Sequence, residues 1–417
     1  MTFCALRHAT PARPFALALL LAAIAVAGCG QRGPALLETP AAPGASLPRL
    51  STDPAGVAWL SWVEPTEHGH ALRFARFEEN AWGIARTAAE GDDWFVNWAD
   101  FPSVVHLGED RLAAHWLRKV EGGTYAYHLL MAVSTDGGQH WSAPVTPHAE
   151  ASATEHGFAS LFALPGGAGA VWLDGRNTAG AGHSDAHEDE HAHGHGAMSL
   201  RAGGLDWSGD RLPETELDPM TCDCCPTAAG NLPDGVVIVY RDRSPAEIRD
   251  IRAATLGPGG WSTPVLVSDD GWEMPACPVN GPAVATHGQR VAAAWFTAAA
   301  GTPRVKLAFS MDGGRHWDPP VEIAAGAVLG RVAVVMPDAD SAVVSWLEQP
   351  RGRAEIRFRR VSAGGNAGSA YKLATTVAAR SSGFPQMTLA GNRLLFAWTA
   401  VGDPATVRTA TAPLPKP

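Results

Sequence analysis

The chain has 417 residues, with 45 Gly, 32 Pro and 15 Trp but only 18% charged residues, a composition that favours many turns and aromatic packing over long solvated helices. A formal charge of −10 leaves no basic stripe to neutralise phosphates, which excludes nucleic acid as a partner.

At the N-terminus, Arg7 and Arg13 precede the apolar run PFALALLLAAIAVAG, which is too short for a comfortable membrane span. The run closes in Val26-Ala27-Gly28-Cys29, which resembles a bacterial lipobox. That resemblance makes residues 1–28 a lipoprotein signal peptide and Cys29 the lipidated first residue of the mature chain. With Gly30 and not Asp following, it implies delivery to the outer membrane, the membrane being a partner through the lipid. An ordinary secretory peptide is the alternative. Residues 29–47 are then a tether with a short strand, and 48–417 one domain. The compartment is oxidising, and the mature part holds Cys222, Cys224, Cys225 and Cys277.

Beyond the tether, an apolar strand ending in an aromatic residue recurs. It reads VAWLSW to Trp62, RLAAHW to Trp116, GAGAVW to Trp172 and VVIVY to Tyr240, then RVAAAW to Trp295, AVVSW to Trp346 and LLFAW to Trp398. These landmarks lie 54, 56, 68, 55, 51 and 52 residues apart, and the long interval holds a His-rich insert at 181–197. Each unit divides into about four short strands separated by turn residues; unit two reads FPSVVHL, RLAAHWL, YAYHLLMAVS and WSAPVTP. The pattern predicts an all-β propeller of four-stranded blades, seven favoured and six the alternative. The last unit has three clear strands, and GPALLETP at 34–41 is expected to supply its missing outer strand and close the ring.

Two turns, STDGGQHW at 134–141 and SMDGGRHW at 310–317, fit S-x-D-x-G-x-x-W. Here the chain resembles the sialidase-like family of BNR, or Asp-box, propellers. The resemblance implies a sialidase-like fold and, as a default, glycan hydrolysis. Sialidases of this kind use three arginines on a substrate carboxylate, a Tyr nucleophile backed by Glu, and an Asp acid/base. Arg176, Arg241 and Arg243 are the candidates for the arginines and Asp242 for the acid, with Asp174 or Asp100 as other choices. Against this, only Tyr125, Tyr127, Tyr240 and Tyr371 are present, Tyr240 occupies a landmark position, and the family's early F/Y-R-I-P signature is absent. The arginine–aspartate pairs read equally as structural braces.

In a propeller, the loops entering first strands and those joining second to third strands open on one face. That places Cys222, Cys224, Cys225, Cys277, Asn280, Asp174, Arg176, the Arg241–Arg243 run and the insert histidines together. Three cysteines in TCDCCPT, 221–227, suit a soft metal, copper as Cu(I) or zinc, with Cys277 or a loop histidine such as His156 completing the shell. The same thiols suit disulfides or a redox device, Cys277 bonding one of the three. All four are expected to converge at the rim of the central channel. Histidines 183, 187, 191, 193 and 195 (His187, His191, His193 and His195 among the metal candidates) sit among carboxylates and read as a weak metal collector or a solvated acidic loop. The functional alternatives are thus a metal- or redox-handling propeller, an exo-sialidase-type hydrolase, and a propeller that docks a glycan or a periplasmic protein.

Overall fold

The computed structural model describes Met1, residues 33–178 and residues 196–416. The lipidation candidate Cys29 and the insert residues His183, His187, His191, His193 and His195 lie outside the described residues. Seven antiparallel sheets follow one another along residues 33–416, as a seven-bladed propeller requires. Blade 1 spans residues 46–91, blade 2 103–134, blade 3 156–218, blade 4 228–268, blade 5 283–325, blade 6 328–376 and blade 7 386–413.

Within each blade the chain meanders outward from the axis. The first strands, among them Ser46–Thr52, Ala228–Leu232 and Gln386–Ala390, line a central channel of about 940 Å³. Every aromatic landmark falls on a second strand and is at most 5% exposed. Such strands are covered on both faces, which explains why they read as unbroken apolar runs. Seven apolar clusters occupy the seven junctions between neighbouring blades; that between blades 7 and 1 joins Leu60 and Trp62 to Leu395 and Ala397. The hydrophobic core is therefore a ring of interfaces, not a single centre.

The ring closes through the chain's own beginning. Ala35–Leu37 pairs antiparallel with Thr406–Pro413, Ala35 facing Thr411 and Leu37 facing Thr409. The outer edge of blade 7 is thereby covered.

The two S-x-D-x-G-x-x-W turns share the bonding of their Ser and Asp side chains. Asp312 Oδ1 accepts from the Arg315 and His316 amides at 3.2 and 3.0 Å, and Asp136 Oδ1 from Gln139 and His140 at 3.0 and 2.9 Å. Gly138 and Gly314 take φ of 81° and 92°, where a side chain would be strained.

Blade 2 departs from the expected pattern. The segment WSAPVTP does not form a fourth strand, and only Val145 bridges Met131 on the third. Pro144 and Pro147 each lack the N–H that a ladder position needs, so pairing stops after one bridge. The released chain turns inward and carries His148 and Glu150 toward blade 3.

Candidate functional site

The cysteine stretch is the connection from blade 3 into the first strand of blade 4. Thr221 bridges Asp242, and the Cys222 amide donates to Arg241 O at 3.1 Å, tying the stretch across the end of blade 4. Asp223 turns away to meet Arg243 Nη1 at 3.0 Å, which leaves its cysteine neighbours facing the interior. Pro226 then reaches the channel wall, where a Cβ on Gly281 would lie 2.0 Å from Pro226 O. Only glycine lets the two segments approach so closely, and Asn280 is thereby brought onto the cysteines.

The sulfurs of Cys222, Cys224 and Cys225 lie within 4.8 Å of one another. Cys222 donates to Cys225 Sγ at 3.2 Å, and the Asn280 amide donates to the same sulfur at 3.4 Å. Cys222 and Cys225 are buried, Cys224 is half-buried, and all four cysteines are free thiols. Cys277 does not join the trio: it is exposed and meets it only at Cys224. Burial pushes the Cys222 thiol up to about 12. Cys225 goes the other way. Burial raises it, but hydrogen bonds from Cys222 and Cys224, the Arg241 guanidinium and the Asn280 N–H together hold it well below the ordinary thiol range. The trio is thus two thiols around one sulfur that favours the thiolate.

The arginines proposed as a carboxylate clamp are each committed internally. Arg176 grips Asp174 through Nε and Nη2 at 2.7 and 2.8 Å and Glu214 through Nη1 at 2.8 Å. Arg241, 1% exposed, donates to the carbonyls of Asn280, Arg249 and Phe296 at 2.6–3.0 Å and lies over the Trp272 ring. Arg243 holds Glu247 as well as Asp223, and Asp242 accepts from Arg252 Nε at 2.6 Å.

A tyrosine does sit between carboxyls, though not one chosen for it from the sequence. Tyr127 Oη donates to Asp100 Oδ2 at 2.9 Å, and Glu155 lies on its other side. Burial lifts Asp100 to about 7 and Glu155 to about 8. Burial and both carboxyls also push the Tyr127 hydroxyl well above its usual value, and the residue is 1% exposed. A nucleophile needs the reverse on both counts.

His156 is not part of the cysteine group and does not complete its shell. It begins the inner strand of blade 3 and groups with His128, His148 and Glu150, which sequence spacing did not connect. The only early signal was the proline pair that breaks the outer strand of blade 2.

Solved structures similar to this chain are propellers. An ulvan lyase of polysaccharide lyase family 25 matches with a TM-score of 0.52 at 10% identity, over 92% of this chain and 94% of that one. The phage phi92 endosialidase matches at 0.48 and 10% identity, over 92% and 70%. An α-L-arabinanase of Penicillium chrysogenum matches at 0.48 and 11%, over 92% and 98%. At these identities the likeness is one of fold. No protein-family model matches the chain, and no curated protein matches it in sequence.

Proposed function

We propose that this chain is an extracytoplasmic, lipid-anchored propeller of the Asp-box type that holds a soft metal ion on Cys222, Cys224 and Cys225. The observation that carries the reading is the convergence of three sulfurs within 4.8 Å, on a buried stretch where one thiol would suffice as a staple. Sulfur-only donors select Cu(I) or Zn(II) over harder cations. Three thiolates match trigonal Cu(I), and recruitment of the neighbouring Cys277 would give the four ligands preferred by Zn(II). Arg241, whose partners are backbone carbonyls, sets a buried positive charge beside the sulfurs and favours the thiolate form of Cys225. Loading would displace the remaining thiol protons, so affinity would rise with pH.

The test is elemental analysis of protein purified without a histidine tag, with thiol titration before and after a Cu(I) chelator. Stoichiometric metal that is lost in Cys224→Ser and Cys225→Ser supports the proposal. Two intact disulfides, or a Cys222–Cys225 disulfide in protein that carries no sulfur-bound metal, would overturn it. The hydrolase alternative finds less support, because Arg176, Arg241 and Arg243 have internal partners and Tyr127 is buried.

A further inference from the structure

We propose a second metal site, independent of the cysteines: His128, His148, His156 and Glu150 form a closed four-ligand centre for a divalent transition metal, zinc foremost, between blades 2 and 3.

The donors come from three segments. His128 lies on the third strand of blade 2, His148 and Glu150 on the chain released by Pro144 and Pro147, and His156 on the first strand of blade 3. One donor atom from each lies within 4.8 Å of the others. His148 and His156 are fully buried in their side chains, and His128 is 7% exposed.

Three of the four ligands are oriented by a bond made at their other atom. His148 Nδ1 donates to Glu150 O at 3.0 Å, and His156 Nδ1 to Thr154 O at 3.2 Å or Tyr127 O at 3.3 Å. A carbonyl only accepts, so both rings carry a proton on Nδ1 and turn Nε2 inward, where the neutral ring offers a lone pair. Glu150 Oε2 accepts from the Ser152 amide at 2.9 Å, which turns Oε1 inward as well. Four atoms then remain without any hydrogen-bond partner: His128 Nδ1, His148 Nε2, His156 Nε2 and Glu150 Oε1. His156 Nε2 and Glu150 Oε1 abut, and a proton shared between them would still leave His128 Nδ1 and His148 Nε2 without a partner.

Buried acceptors rarely gather without a donor. A proton can serve only one or two of these atoms, whereas a cation serves all four. The bonds to carbonyls and to Ser152 have the form of the outer shell that fixes metal-binding histidines elsewhere. Three nitrogens and one carboxylate oxygen suit Zn(II), or Cu(II) and Co(II), and exclude the soft preference of the thiol trio. Ligands about 2.1 Å from a tetrahedral ion stand roughly 3.4 Å apart, so the wider pairs must close and the abutting His156–Glu150 pair must open to admit it. Four protein ligands fill the shell of a tetrahedral ion, which makes the centre structural. It fastens the released segment of blade 2 to blade 3 where a fourth strand is missing.

The experiment uses the whole chain with Cys222, Cys224, Cys225 and Cys277 changed to Ser and the five insert histidines (His183, His187, His191, His193 and His195) changed to Ala. After chelation it is titrated with Co(II). The expected result is one Co(II) per chain with tetrahedral d–d bands, no thiolate charge-transfer band, and a raised thermal midpoint. His148→Gln or Glu150→Gln should weaken binding by about 100-fold or more and abolish the thermal shift. A folded background protein that takes up no Co(II), or binding unchanged by both substitutions, overturns the proposal. Should that background fail to fold, the unsubstituted chain gives the same reading, since its nitrogen–oxygen bands must vanish in His148→Gln while any thiolate band persists. Loss of the thiolate band alone would count against the cysteine reading and leave this one standing.

Discussion

Trp62 and Glu64 stand two residues apart on one strand, and the indole Nε1 donates to the carboxylate at 2.7 Å. Trp172 with Asp174 and Trp346 with Glu348 repeat the bond at 2.8 Å each. In blades 1 and 6 the arginine directly across on the third strand, Arg73 or Arg357, closes onto the same carboxylate. Blade 4 keeps the arginine half of the design, with Arg252 across from Tyr240 bonded to Asp242, while the Tyr240 hydroxyl donates to Asp218 instead. Asp174 and Asp242 are therefore braces of their own blades. Removing the donor while keeping the ring tests this: Trp346→Phe should lower stability by about 1–2 kcal/mol in denaturant unfolding. A change within error would show that the indole bond contributes nothing.

Arg241 should behave as a structural residue. Arg241→Lys keeps the charge but cannot reach three carbonyls at once, and the unpaired groups should destabilise the fold by roughly 3 kcal/mol. A clamp role predicts the opposite pattern, with stability unchanged and only ligand binding lost. Urea unfolding of the variant distinguishes the two.

Asp312→Ala removes the acceptor for two turn amides, as loss of a helix N-cap would. The expected loss is about 1–2 kcal/mol. Because the turn lies on the face opposite the cysteines, metal content of the variant should not change; a fall in metal content would refute that separation.

Asp100 gives a pH dependence of definite sign. Its carboxyl titrates near 7 in the fold because burial raises it, against 3.8 as the ordinary value. Between those values the folded state keeps a proton that the unfolded chain has released, so stability falls as pH rises, by roughly 4 kcal/mol in total before levelling above 7. Asp100→Asn can still accept from the Phe158 amide and remain beside Tyr127 Oη. Its stability relative to the parent should therefore grow from pH 4 to pH 8 in metal-free protein. A constant difference across that range would reject the assignment.

The blade count was legible because each landmark aromatic is buried between neighbours for the same reason, seven times over. The closing strand was legible because a three-stranded last unit leaves an edge that some segment must cover. The thiol trio follows from three cysteines in four residues. The His128–His148–Glu150–His156 group was not legible: its members come from three segments without a shared spacing, and they meet only because Pro144 and Pro147 abort a strand. The arginines misled for a related reason. Topology assigns Arg176, Arg241 and Arg243 to one face, but it does not say that their side chains turn inward.

The pairing of Ala35–Leu37 with Thr406–Pro413 also orders events in time. Blades 1 to 6 can each assemble as their own residues arrive, since their strands are local in the chain. The last blade cannot, because its outer strand is made first and its partner last. During synthesis the opening strand, with Leu36 and Leu37 on it, must wait through the whole length of the domain before it can pair. Joining segments so distant in sequence is slow compared with local pairing. The open ring, with one bare sheet edge at blade 7, is thus the species most exposed to chaperones, proteases and a second chain offering the same strand.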